Sequence, residues 1–218
     1  ELEGLFGFVP PDGRLLAAGQ ISDTLVFWDT ATHEARRRFD ALGLKSYQPF
    51  AFSADCARLA VRRGADTLAL YDATTGALIE TIAPIPHFQV AALALSADGH
   101  WLAIGGWNED DRNRPIALWD IPGQRLASQP MLETEAIVSQ VAFSHDSQLL
   151  AFVVQDEAIY QWDLTQEQPT RLLASRAWVS DKPVAFTPDD RQLAAALSPE
   201  IAALFDTRPV QAIRRDLA

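Results

Sequence analysis

Asp12-Gly13-Arg14-Leu15-Leu16-Ala17-Ala18-Gly19, closed by Val26-Phe27-Trp28-Asp29, decides the fold, because the chain writes the same phrase four more times. A turn aspartate recurs at Asp12, Asp55, Asp98, Asp146 and Asp189, at intervals of 43, 43, 48 and 43 residues. A similar short run precedes each: Phe8-Val9-Pro10-Pro11, then Phe52-Ser53-Ala54, Leu95-Ser96-Ala97, Phe143-Ser144-His145 and Phe186-Thr187-Pro188. An aromatic-Asp pair follows, as Trp28-Asp29, Tyr71-Asp72, Trp119-Asp120, Trp162-Asp163 and Phe205-Asp206. The offset from turn Asp to aromatic is 16 residues, except in the third repeat, where it is 21 and a five-residue insertion accounts for the difference.

Within each unit the hydrophobic pattern is that of strands. Leu15 to Ala18, Leu59 to Val61, Trp101 to Ile104, Leu149 to Val154 and Leu193 to Ala196 are short apolar runs between turn residues, the mark of strands buried on both faces. Third strands follow at Leu25 to Trp28, Leu68 to Tyr71, Ile116 to Trp119, Ile159 to Trp162 and Ala202 to Phe205. More polar fourth strands are expected at Glu34 to Phe39, Leu78 to Ile82, Leu126 to Pro130, Thr170 to Leu173 and Ala212 to Leu217, as suits strands facing solvent. First strands run into the turns at Leu5 to Val9, Pro49 to Phe52, Val90 to Leu95, Val138 to Phe143 and Pro183 to Phe186. No window sustains a helical i, i+3, i+4 stripe through the Pro, Gly and Asp punctuation. Four strands in each unit of about 43 residues are the grammar of a β-propeller blade.

The phrase Phe-Ser-x-Asp, an apolar strand, then Asp-Thr-Leu-x-aromatic-Asp resembles the WD-repeat family of propellers over nearly the whole chain. Asp23-Thr24 and Asp66-Thr67 agree with the family's pattern; Arg114-Pro115, Glu157-Ala158 and Glu200-Ile201 replace it. The family's Gly-His dipeptide is absent from its expected place in every repeat, His87 coming closest, so the polar tetrad that the resemblance implies lacks its His and each Asp must find backbone donors or water. The expectation is therefore an all-β propeller of four-stranded antiparallel blades, five in this chain, in one domain over 1–218, with blades near 1–40, 41–83, 84–131, 132–175 and 176–218. The resemblance implies seven blades as the usual ring. Three readings stay open: a five-bladed ring, an arc cut from a larger protein, and an arc completed by another chain. The arc is favoured, because no blade draws strands from both ends of the sequence.

Composition narrows the function. Eighteen basic residues against 29 acidic give a net charge of −11, which repels polyanions and speaks against nucleic acid. No apolar run reaches the roughly 18 to 20 residues that cross a bilayer as a helix, and neither a membrane nor a secretory leader is read from the sequence. The lone Cys56 excludes an internal disulfide framework and fits a reducing compartment, so a cytoplasmic location is expected. Cys56 stands at the repeat position of Gly13, Gly99, Ser147 and Asp190 and reads as a turn residue.

Chemistry finds no foothold. His33, His87, His100 and His145 occupy unrelated phases of the repeat. Ser53, Ser96 and Ser144 recur before the turn Asp, where a hydroxyl bonds the local backbone. Asp29, Asp72, Asp120, Asp163 and Asp206 recur in every unit and read as structural. Glu109, Asp110 and Asp111 lack the alternating order of Ca²⁺ loops, and no phosphate-binding glycine loop occurs. No catalytic residue, metal or cofactor is assigned.

What escapes the period is the candidate site. Trp107-Asn108-Glu109-Asp110-Asp111-Arg112-Asn113-Arg114 reads as a rim loop between second and third strands, with Trp107 as its exposed aromatic. Segments joining one unit to the next add Lys45, Tyr47, His87, Phe88, Glu133, Glu135, Arg176 and Trp178. Aromatic and Arg residues in such places suit a protein or peptide partner, and further blades or domains of a parent chain are a second kind of partner. The expectation is a non-catalytic interaction scaffold or sensor segment of a larger multidomain protein. The alternative is the propeller of an enzyme, a peptidase gate or a five-bladed glycosidase. The latter would draw on carboxylates outside the repeat phase, such as Glu109, Asp156 and Glu157.

Overall fold

A computed structural model describes residues 15–21, 24–29, 31–39, 49–63, 67–82, 85–110, 114–132, 134–174, 183–196 and 202–207. Among these residues every regular element is a β-strand, and each sheet is built from strands consecutive in sequence. Sheet I holds β1 (Leu15–Ile21), β2 (Thr24–Asp29) and β3 (Ala35–Phe39). Sheet II holds β4 (Phe50–Phe52), β5 (Arg58–Arg63), β6 (Thr67–Asp72) and β7 (Leu78–Ile82). Sheet III holds β8 (Phe88–Leu95), β9 (Trp101–Asn108), β10 (Ile116–Asp120) and β11 (Arg125–Ser128). Sheet IV holds β12 (Val138–Phe143), β13 (Leu149–Val154), β14 (Ala158–Asp163) and β15 (Thr170–Ala174). Sheet V holds β16 (Val184–Phe186), β17 (Gln192–Ala196) and β18 (Ala202–Asp206). All described pairings are antiparallel, and the all-β architecture of several four-stranded sheets is consistent with a β-propeller. The strands expected at Leu5 to Val9 and Ala212 to Leu217 lie outside the described residues. Among the described residues no helix is long and apolar enough to cross a membrane.

The repeated turn is held the same way four times. Ser53 donates its hydroxyl to the Asp55 carboxylate at 2.6 Å and accepts from the Arg58 amide, while Asp55 also accepts from the Ala57 amide. Ser96 with Asp98, Ser144 with Asp146 and Thr187 with Asp189 repeat this pattern at 2.6, 2.6 and 2.7 Å. The residue after each Asp takes a left-handed backbone, with φ of 55° at Cys56, 70° at Gly99, 62° at Ser147 and 55° at Asp190. Cys56 is thus a turn residue. The second aspartates close the next turn, Asp29 and Asp72 each accepting two backbone amides and Asp120 and Asp163 one each.

Cross-strand register sorts the apolar side chains into two unlike faces. One row runs Phe52, Leu59, Tyr71 in sheet II; Leu95, Leu102, Trp119 in sheet III; Phe143, Leu150, Trp162 in sheet IV; and Phe186, Leu193, Phe205 in sheet V. The adjacent row, on the opposite face, runs Ala51, Ala60, Leu70; Ala94, Ala103, Leu118; Ala142, Ala151, Gln161; and Ala185, Ala194, Leu204. Each of sheets II to V therefore has a bulky face centred on Leu opposite an aromatic, and a shallow face centred on an alanine pair. The cores between sheets join one kind to the other. Ala51, Ala60 and Leu70 pack with Leu95, Leu102 and Trp119; Ala103 and Leu118 with Leu150, Phe152 and Trp162; Ala151 and Ile159 with Phe186 and Leu193. Leu59, Leu102, Leu150 and Leu193 are all fully buried, each worth about 1.5–3 kcal/mol of transfer free energy. Gly105 continues the shallow theme, since a Cβ there would stand 2.6 Å from a Val138 methyl across the interface between sheets III and IV.

Two outcomes follow from this packing. Ala151 has no exposure, and Ala151→Leu inserts volume where sheet V already sits, so it costs about 1–3 kcal/mol in denaturant unfolding. Cys56→Val forces a β-branched residue into a left-handed backbone and lowers the melting temperature by several degrees, whereas Cys56→Gly keeps or raises it.

Candidate functional site

The non-repeating surface is built on the hairpin of β8 and β9. Sequence reasoning placed Trp107 in a loop; instead Trp107 lies in β9, half-buried and paired with Gln89, and Asn108 pairs with Phe88. The added residues lengthen the hairpin, carrying β9 on to Asn108. The cause is the Gly105-Gly106 pair, which faces a register shift between Val90 and Ala92. At Gly106 a Cβ would come within 1.9 Å of the Gln89 carbonyl oxygen, so only glycine lets the two backbones approach there. Phe88 is likewise corrected from a surface residue to a core one. It is 3% exposed and packs with Val90, Leu102 and Ile104, because the chain turns inward after His87, whose φ is 58°.

What the hairpin presents at its end is polar and acidic. His87 lies 3.4 Å from the Asp110 carboxylate, both well exposed, and its carbonyl accepts the Glu109 amide at 2.8 Å. Asn108 fixes the following chain by accepting the Asp110 amide at 3.0 Å and donating to the Pro86 carbonyl at 3.4 Å. Gln89 donates to Glu109 at 3.3 Å and accepts from Arg62 of sheet II at 3.4 Å, while Arg62 also donates to the Val90 carbonyl at 2.7 Å. The structure thus brings together His87, Trp107, Asn108, Glu109 and Asp110 of the expected stretch, and adds Arg62 and Gln89. Arg62 opens the Arg62-Arg63 pair that follows the apolar run Leu59 to Val61 in β5, which was the signal the sequence offered, whereas Gln89 gave none. Tyr47, Asp111, Arg112, Arg176 and Trp178 lie outside the described residues, as do Lys45 and Glu133.

A second polar feature joins the turns of neighbouring sheets. Arg58 donates to the Gly99 carbonyl at 2.5 Å, and Ser147 accepts the Asp98 amide at 3.1 Å. Asp190 accepts the amides of His145 and Asp146 at 2.9 Å each and meets the His145 ring nitrogen Nδ1 at 2.8 Å. Burial opposes ionisation of Asp190, but these three donors prevail and hold its carboxyl below the usual carboxylate range. Asp55 is lowered by the Ser53 hydroxyl and the Ala57 amide. Beside the turns lies a cavity of about 480 Å³, walled by the first strands of sheets II to V through residues such as Phe50, Phe52, Leu93, Val141, Phe143 and Phe186. Its wall is mostly apolar, with Ser144 and His145 as the polar exceptions. The Ser144 hydroxyl is committed to Asp146 and the turn backbone, so it is a structural group.

The tryptophans of the repeat do not share one polar network. Trp162 donates its indole N–H to the Gln166 carbonyl at 3.0 Å, while the Trp119 indole N–H is buried without a partner. Asp23 and Asp66, which the WD-repeat pattern would place in such a network, lie outside the described residues. Among the described residues, no group of three or more His, Cys, Asp or Glu side chains is placed to hold a metal ion.

No family model matches the chain. The sequence is 25% identical over 187 residues to Protein LST8 homolog of Drosophila melanogaster, a match that covers 84% of this chain and 56% of that protein. The chain thus spans little more than half the length of the relative. This weak likeness and the antiparallel all-strand sheets are together consistent with a WD-repeat protein.

The Asp190 geometry sets a pH dependence. A carboxyl lowered in the folded state contributes stability that is complete above its unfolded pKa, about 3.9, and is lost as pH falls through the folded value. Asp190→Asn, which tolerates the same backbone, lowers the melting temperature at pH 7. The gap to wild type narrows in melts taken below about pH 4.

Proposed function

We propose that this chain is a non-catalytic WD-repeat interaction scaffold, a five-bladed portion of a propeller that captures a protein or peptide partner on the rim of its third blade and works in the cytoplasm as part of a larger multidomain protein. The observation that carries this reading is the departure of one hairpin from an otherwise periodic framework: β8 and β9 run on past the repeat and present Trp107, His87, Glu109 and Asp110 from a fixed support. Variable polar and aromatic groups held on a rigid scaffold are where binding is concentrated. The likeness to Protein LST8 homolog supports a scaffold of this class.

The rim also indicates the partner's character. Glu109 and Asp110 add to a chain whose net charge is −11, so a basic segment is steered toward it and an acidic one is repelled. Trp107, half-buried at the strand end, gives such a segment an apolar anchor. Arg62 and Gln89 set the position of Glu109 without needing to touch the partner.

Affinity capture with quantitative mass spectrometry tests this. Proteins retained by the wild-type chain should be lost with Trp107→Ala and with the double variant Glu109→Lys, Asp110→Lys, and kept with Leu78→Ser on the exposed outer strand of sheet II. Equal capture by all forms would overturn the assignment of the rim.

A further inference from the structure

The rim does not end with sheet III. β9 carries Gly105 against Val138 of β12, where an added Cβ would stand 2.6 Å from a valine methyl. Trp107 lies two residues farther along the same strand and therefore on the same face, the one turned toward sheet IV. On the other side of β12, Val138 pairs with Val154 of β13, and the Gln155 amide donates to the Ile137 carbonyl at 2.8 Å. The ends of β9 and β13 thus stand on either side of residues 134–138. A pair of acids lies beyond each: Glu109-Asp110 after β9 and Asp156-Glu157 after β13.

The second pair is supported as the first is. Glu157 is exposed, yet its carboxylate accepts the hydroxyl of Thr134 at 2.5 Å, and Thr134 is only 5% exposed. The same hydroxyl oxygen accepts the Ala136 amide at 3.0 Å, which ties it to its own connector. Asp156 takes a left-handed backbone with φ of 57°, and the Glu157 amide donates to the Val154 carbonyl at 3.2 Å, closing a tight turn that fixes where Glu157 leaves the sheet. On sheet III, Gln89 plays the part of Thr134 by donating to Glu109. Each blade therefore holds one carboxylate through a neutral side chain, which orients the charge without cancelling it.

We propose that the rim site on sheet III, on whose reading this rests, runs across the boundary to sheet IV and takes an extended peptide segment with two basic residues flanking an apolar one. Glu109 and Asp110 receive the first basic side chain, Trp107 the apolar one, and Glu157 the second basic one. Packed sheets stand about 10 Å apart, the length of about three residues of extended chain, so the two basic residues lie about three positions apart. The net charge of −11 draws such a segment in, and the two acidic posts read its spacing. Glu157 thereby sets specificity, and Thr134 is a positioning residue that acts through it.

Fluorescence anisotropy with two labelled synthetic peptides tests this, one carrying two arginines three positions apart around a leucine, the other with its second arginine replaced by glutamine. Wild type should bind the first about two- to fivefold more tightly. Glu157→Gln and Thr134→Val should each bind both peptides alike, at the wild-type affinity for the one-arginine peptide; a mere folding defect would instead weaken both together and show in thermal melts. A wild type that binds neither peptide or shows no preference for the second arginine, or a preference that survives Glu157→Gln, overturns the extension onto sheet IV. Trp107→Ala reads the rim separately. If it binds the one-arginine peptide as wild type does, the rim reading falls and the proposal with it; if it loses that peptide while the second arginine adds nothing in wild type, only the proposal falls.

Discussion

The fold depends on a mismatch in side-chain size between the two faces of each sheet. Strand alternation alone would give any buried sheet two apolar faces. Here one face carries an alanine pair across its first two strands and the other a leucine facing an aromatic. Two bulky faces could not reach the distance at which sheets pack, about 10 Å, without displacing one another. Two shallow faces would leave voids, whose lining atoms lose dispersion contacts. Shallow against bulky is the combination that fills the space, and it also fixes polarity, since each sheet must turn its bulky face toward the one before it. Order along the chain becomes order in space.

The turns serve that packing. A hydroxyl, a carboxylate and a left-handed residue close each first hairpin, and the left-handed position then reaches the neighbouring sheet, through Gly99 to Arg58, Ser147 to Asp98 and Asp190 to His145. Asp190 shows one residue meeting both demands: its backbone completes its own turn and its carboxylate gathers donors from the next. The first repeat has Pro10 where the others have Ser or Thr.

The period, the turn aspartates and the Leu-to-aromatic pairing were legible because each repeats at fixed spacing and each has a local cause. Strand order followed from the same period. The face to which an apolar residue belongs was less legible: Ala60 and Leu59 both read as buried, and only cross-strand register separates shallow from bulky. The rim failed for a related reason. Trp107 looked like loop because it follows the expected end of a strand, yet Gly105 and Gly106 allow the pairing to continue. Phe88 looked exposed because it lies between units, yet the left-handed His87 turns it into the core. Arg62, Gln89 and Glu109 are far apart in sequence and meet only when two sheets pack.

Every described strand pairs with its neighbour in the chain, so forming a single sheet closes only short loops and demands little chain entropy. Such sheets are cheap to start and cheap to lose. Cooperativity then has to come from the surfaces where a shallow face meets a bulky one, and the chain behaves as a row of units coupled to nearest neighbours. Sheets III and IV, held on both sides, open last. Sheet V, whose described core lies on one face, opens before them.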